Sequence, residues 1–175
     1  MANITVNATG DQPLILLSTD LANGNVQTGN IPGANVLSVG CLQDVTITSS
    51  TGVFSWTDFC SVDTNKLPTP ADNEIATNVV IDNVKWFGNS SAGANSAANL
   101  GISSLSQNKI EVQFLVVWNN NDIANVTGGN QSGNTYWSSG VGYITNLAPT
   151  VSPDAPVWVS PLSIAVNGTM YSGKD

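Results

Sequence analysis

Residues Lys109–Trp118 read KIEVQFLVVW, and this stretch decides the fold. Successive side chains of an extended chain point to opposite faces. Ile110, Val112, Phe114 and Val116 therefore share one face, and Glu111 and Gln113 begin the other. Past Gln113 the alternation stops, because Leu115 and Val117 make the second face apolar as well. A short run that is apolar on both faces predicts a strand covered on both sides, by core on one and by a helix or a neighbour on the other.

The flanking segments continue the pattern. Upstream, Val36–Ser49 holds the β-branched run Val45-Thr46-Ile47-Thr48, and Val53–Phe59 sets Phe54 and Trp56 on one face. Glu74–Phe87 reads as one long strand in which Val80, Val84 and Trp86 share a parity. Downstream, Thr135–Leu147 and Val157–Tyr171 complete the set. β-branched and aromatic residues suit a pleated, half-buried surface. Asn23-Gly24 and Asn167-Gly168 are turn dipeptides, since both residue types tolerate positive φ. A single short helix is expected over Ala97–Leu105, with Leu100 and Leu105 facing the sheet and Gly101 an unfavourable interior residue. The fold class is mainly β, in one domain over residues 1–175.

Two segments, 10–34 and 119–134, read as arms or loops. The second, NNNDIANVTGGNQSGN, has too little apolar surface to build a core. Long loops in a compact domain are usually functional, and in an assembling protein they reach neighbours. The candidate subunit-contact residues are therefore Leu14, Ile15, Leu16, Leu17, Ile123 and Val126. Trp137 joins them because Trp is a common interface anchor. The other tryptophans, Trp56, Trp86, Trp118 and Trp158, fall in expected strands as core or subunit contacts. An exposed aromatic row that stacks on sugar is the alternative reading.

Charged residues are only 9% of the 175, and polarity comes instead from Asn, Ser, Thr and Gln. A neutral, hydrogen-bonding surface suits a protein packed against others, where few charges need desolvating. The formal net charge is −8, with four lysines and no arginine. Such a chain offers no basic patch for nucleic acid. The N-terminus MANITVNATG has no basic n-region, and Leu14–Leu17 and Phe114–Trp118 are too short to serve as a signal core or a membrane span. Folding in the cytoplasm is the expectation. Cys41 and Cys60 are too few for a disulfide scaffold and read as buried small apolar groups in preference to a bridge.

The chain contains no histidine, which removes Ser-His-Asp and Cys-His catalysis and the usual zinc ligand. No phosphate-binding glycine loop opens a helix. Carboxylates close in sequence, Asp58 with Asp63 and Asp72 with Glu74, lack any sign of a cleft between them. Asp72-Asn73-Glu74 and Asn121-Asp122 lack EF-hand spacing. No catalytic, cofactor-binding or metal residue is assigned, and no cofactor is expected.

The order of elements, with the stretches AANLGISSL, KIEVQFLVVW, YWSSGVGYITNLA and APVWVSPLSIAVNG, resembles the major tail tube proteins of long-tailed bacteriophages. The resemblance covers about the C-terminal 80 residues, including Gly142-Tyr143-Ile144 and the closing apolar strand Leu162–Val166. It implies a β-sandwich or half-barrel with a flanking helix, and no catalytic residues. It also implies a homo-oligomer: six copies in a ring, and rings stacked head to tail into a virion tail tube beside other tail proteins. Genomic DNA would pass through without specific binding, repelled by an acidic wall. Asp44, Asp58, Asp63, Asp82 and Glu111 are the candidate lumen-lining residues. A capsid decoration protein and a carbohydrate-binding β-sandwich are the alternatives.

Overall fold

A computed structural model describes residues 13–32, 35–40, 42–57, 64–92, 94–118, 136–150 and 157–174. Of the described residues 56% are in strands, which form a single antiparallel sheet that does not close as a barrel. Its strands are β1 (Leu14–Ser18), β2 (Leu37–Val39), β3 (Leu42–Trp56), β4 (Asn65–Val80), β5 (Val112–Val117), β6 (Tyr136–Leu147), β7 (Val159–Val166) and β8 (Tyr171–Lys174). Two helices, α1 (Asn83–Phe87) and α2 (Ala97–Gln107), lie between β4 and β5. The spatial order is β2-β1-β5-β6-β7-β4-β3. β6 is long enough for two partners on one side: Tyr136–Ser139 pairs with β8 and Gly142–Leu147 with β7.

The strand expected at KIEVQFLVVW is β5, and all six of its residues are buried. Val112, Phe114 and Val116 join Ile15, Leu17, Ile75, Val79, Leu162 and Ile164 in the main core, under Trp86, Ile102 and Leu105 of the helices. Leu115 and Val117 enter a second cluster on the opposite face with Leu14, Leu16 and Trp137. That face is covered by the chain's own segment after β1, through Ile31 and Val36. The double burial is as expected, but this second cover is neither a helix nor a neighbour.

Three expectations are corrected. Leu14–Leu17 is not part of an arm: it is strand β1, paired with β2 on one side and β5 on the other. Its Gly- and Asn-rich flanks concealed a run that non-local pairing makes central. Val36–Ser49 and Val53–Phe59 are not separate strands, because most of both lies in the continuous β3. Glu74–Phe87 is not one strand, since it breaks after Val80 into α1. Asp82 causes the break: its side chain accepts the backbone N–H of Val84 at 2.9 Å and caps the helix. Trp86 thus reaches the core from a helix and not from a strand.

α2 extends two residues beyond the expected helix and is kinked at Gly101, where φ is +71°. A Cβ at Gly101 would stand 2.3 Å from the backbone N of Gly88, and one at Gly88 would stand 1.9 Å from the carbonyl oxygen of Asn99. The two glycines let the helices touch backbone to backbone. Gly101 is the helix contact more than a flaw in the helix.

Candidate interface on the overhanging β-ribbon

β3 and β4 pair with each other from Leu42–Val79 to Trp56–Asn65, with bulges between Leu42 and Asp44 and between Thr51 and Val53. β7 covers β4 only from Glu74 to Val80. Residues Asn65–Asn73 and their β3 partners therefore project beyond the sheet as a two-stranded ribbon. Its far end carries Val53, Phe54, Trp56 and Leu67, all exposed, with Phe54 at 59%. The Phe54 and Trp56 rings stack, with centroids 5.8 Å apart and planes 25° apart. No charged residue occurs between Val45 and Thr57.

Two strand edges are open there. Among the described residues, β3 has no strand on its outer side, and β4 has none beside Asn65–Asn73. An unpaired edge is a template for another chain, and proteins usually blunt it with charge, Pro or a bulge. This ribbon has one bulge, between Thr51 and Val53, with Pro68, Pro70 and the single cation Lys66. An isolated two-stranded ribbon is at best marginal in water.

The two faces of the β3–β4 pair differ. Register puts Asp44, Glu74 and Asp72 on the face turned away from the helices, with Thr46, Thr48 and Ser50 between them. Val45, Ile47, Ile75 and Val79 lie on the helix face and touch or join the main core.

The predicted acids that the structure describes are all hydrogen-bonded within the subunit. Asp44 spans its bulge by accepting from the backbone N of Asn78 at 2.7 Å and from the Asn78 amide. Asp82 caps α1. Glu111 accepts from Asn167 Nδ2 at 2.7 Å and from the Tyr143 hydroxyl. Tyr143 is held above the ordinary phenol value, first by partial desolvation, then by the Glu111 charge and that hydrogen bond. Asp44, Asp82 and Glu111 do not cluster. Asp58 and Asp63 lie outside the described residues.

The candidate contacts divide likewise. Leu14, Ile15, Leu16 and Leu17 are at most 5% exposed inside the subunit, so in this conformation they offer no surface to a neighbour. Trp137 is also buried, wedged between Gly29 and Gly173, where Cβ atoms would stand 2.7 and 2.5 Å from its ring. Ile123 and Val126, like Cys41 and Cys60, lie outside the described residues. Sequence reading missed Val53, Phe54 and Leu67 as surface. Their one signal is an aromatic strand reached through a long charge-free run.

A sugar platform finds little support. Trp86 and Trp137 are buried, and Trp118 gives its indole N–H to Ser138 Oγ at 3.1 Å. Trp56 and Trp158 are exposed, but Trp56 pairs with one end of β4 and Trp158 bonds to Ile81 just past the other. That separates them by roughly 50 Å along the strand. Among the described residues, no three Cys, Asp or Glu side chains group as for a metal ion. No described helix is long and apolar enough to cross a membrane.

The described residues thus form an open antiparallel β-domain with two helices on one face and a projecting two-stranded ribbon at one end. That architecture is shared with a solved structure of the tail of an empty gene transfer agent (GTA) particle, obtained by helical refinement with C6 symmetry. The TM-score is 0.53 at 14% identity, over 91% of this chain and 95% of that one. A chain in the virion of a native GTA particle is also similar, with TM-score 0.48 and 12% identity over the same shares. No family model matches the sequence, and no curated protein is similar to it.

Proposed function

We propose that this chain is a non-enzymatic structural subunit of a phage-like tail, joining copies of itself and other tail proteins in the virion after assembly in the host cytoplasm. Six copies close a ring, and rings stack into a tube that conducts DNA. The observation that carries this reading is the ribbon: two open strand edges and a stacked aromatic end, on a fold shared with a tail component solved in C6 symmetry. One copy's outer β3 edge and the next copy's free β4 edge are different surfaces. Joining them is a heterologous contact that closes when the rotation divides a full turn. Copies with net charge −8 repel overall, and the charge-free run Val45–Thr57 is where they can approach.

The face carrying Asp44, Glu74 and Asp72 is the candidate lumen wall, where carboxylates and hydroxyls without a nearby arginine leave DNA ungripped. Asp72 and Glu74 replace Asp82 and Glu111 as the residues to test, because those two are committed to a helix cap and to a tyrosine–asparagine cluster.

Negative-stain microscopy of the purified chain tests the assembly. Six-membered rings or tubes are expected, and persistent monomers at high concentration overturn it. Trimers would favour a capsid decoration protein. Within assembled particles, Asp72→Lys with Glu74→Lys should slow DNA ejection without preventing assembly. Unchanged ejection rejects the lumen face alone.

A further inference from the structure

At the root of the ribbon, where β4 parts from β7, the sheet forks. β7 ends at Val166 and the chain turns through Asn167–Met170 into β8, while β4 continues outward. Between the helix face of the ribbon and this turn lies a cleft of about 480 Å³, lined by Ser49, Pro70, Ala71, Asn73, Gly168, Thr169 and Met170. Asn73 is only 6% exposed, yet its Oδ1 finds no hydrogen-bond partner among the described residues. A buried amide oxygen left unpaired is destabilising, because it has lost its water without gaining a donor. Its cross-strand partner Ser49 and the neighbouring Ala71 leave it on the cleft side of β4.

We infer that this cleft is a receptor for an extended segment of a second copy of the chain, whose backbone or side-chain N–H bonds to Asn73 Oδ1. The inference rests on the assembly reading above and adds a specific seat to it. Three features select the occupant. The cleft opens at the base of the overhang, so a copy that covers the ribbon's free β4 edge also meets its mouth. No wall residue is ionisable, so the cleft favours a neutral segment over a charged peptide, phosphate or metal ion. This chain supplies such segments, with Val45–Thr57 uncharged and only 9% of its residues charged. Ser49 and Thr169 add hydroxyls at the rim, and Met170 gives a deformable apolar floor suited to receiving a foreign side chain.

The test is Asn73→Leu in the full chain, followed by thermal unfolding and by sedimentation velocity over a concentration series. An orphaned amide serving only the subunit makes this near-isosteric change neutral or stabilising, with assembly unaffected. The receptor role predicts a monomer at least as stable as wild type, with self-association weakened by tenfold or more. Ser49→Glu, at an exposed position on the same rim, should weaken association similarly while leaving the fold intact. Wild-type rings matched by equal assembly of both variants overturn the receptor and leave the tail reading standing. A wild-type chain that never associates overturns both.

Discussion

At β1 and β5, every residue of both strands is buried, with helices over one face and Ile31 and Val36 over the other. At the far side of the same sheet, β3 runs exposed or half-buried along its whole length, and the outer half of β4 has only β3 beside it. The difference is one of topology more than of composition. β1 and β5 sit between partners on both edges, whereas β3 ends the strand order and β4 outruns β7 by the stretch Asn65–Asn73. The first region is finished within one subunit. Among the described residues, the second leaves unpaired backbone and stacked aromatics facing out, and in the proposed assembly another chain completes it. Stability should therefore depend on the first region, and assembly on the second.

The sharpest break of that comparison uses Phe114, fully buried and paired with Gly140 across β5 and β6, with its carbonyl accepting from Ser139 Oγ at 3.1 Å. Phe114→Ala should destabilise the monomer by about 3–5 kcal/mol, through lost transfer energy and a residual cavity. Guanidinium unfolding measures it. A loss under 1 kcal/mol would mean that the doubly covered region is not where stability is concentrated.

The same comparison marks what could be read from residue order. KIEVQFLVVW announced a doubly covered strand because its apolar residues violate the two-residue period within one short window. The helix at Ala97 was legible from its spacing, although Gly101 looked like a defect until Gly88 was seen against it. α1 was not legible, because Val84 and Trp86 are compatible with either a strand face or a helical turn, and the Asp82 cap decides between them. Leu14–Leu17 misled for a different reason: composition describes flanks, and pairing with Phe114–Val117 lies a hundred residues away. Open edges and the unpaired Asn73 exist only once register is fixed, so the candidate interface was largely invisible beforehand. The acids could be counted in the sequence but not given their partners, since a short-range hydrogen bond to Val84, Asn78 or Asn167 cannot be told there from a solvated carboxylate.

An intermediate effect is expected at the ribbon. Phe54→Ser with Trp56→Ser removes the stacked pair from a solvent-facing site, where substitutions usually alter monomer stability by less than about 0.5 kcal/mol. Association should lose about 2 kcal/mol or more, as for buried aromatic anchors of an interface, which is roughly thirtyfold in the dissociation constant. Sedimentation velocity and thermal unfolding of one preparation give both numbers. If the monomer unfolds and association persists, the roles assigned to the two regions are reversed.

The smallest effect lies at the seam between them, where Glu111 just before β5, Tyr143 on β6 and Asn167 just after β7 form one hydrogen-bonded cluster. Tyr143 keeps its proton more tightly in the native chain than an unfolded phenol does, through desolvation first and Glu111 second. The native state therefore binds more protons than the unfolded state once pH passes the ordinary phenol value, and stability falls with pH across that alkaline window. Below the unfolded value the contribution is fully present, so nothing should change near neutrality from this group. Glu111→Gln removes the charge but leaves the desolvation, so it should lower the Tyr143 midpoint only part of the way, as followed by NMR of its ring carbon. Tyr143→Phe should flatten the corresponding part of the alkaline stability curve, by little, because the side chain is only half-buried. A midpoint that does not move in Glu111→Gln would show that the carboxylate leans on Asn167 alone, and that β6 is tied to β5 at the seam by strand pairing without this side-chain link.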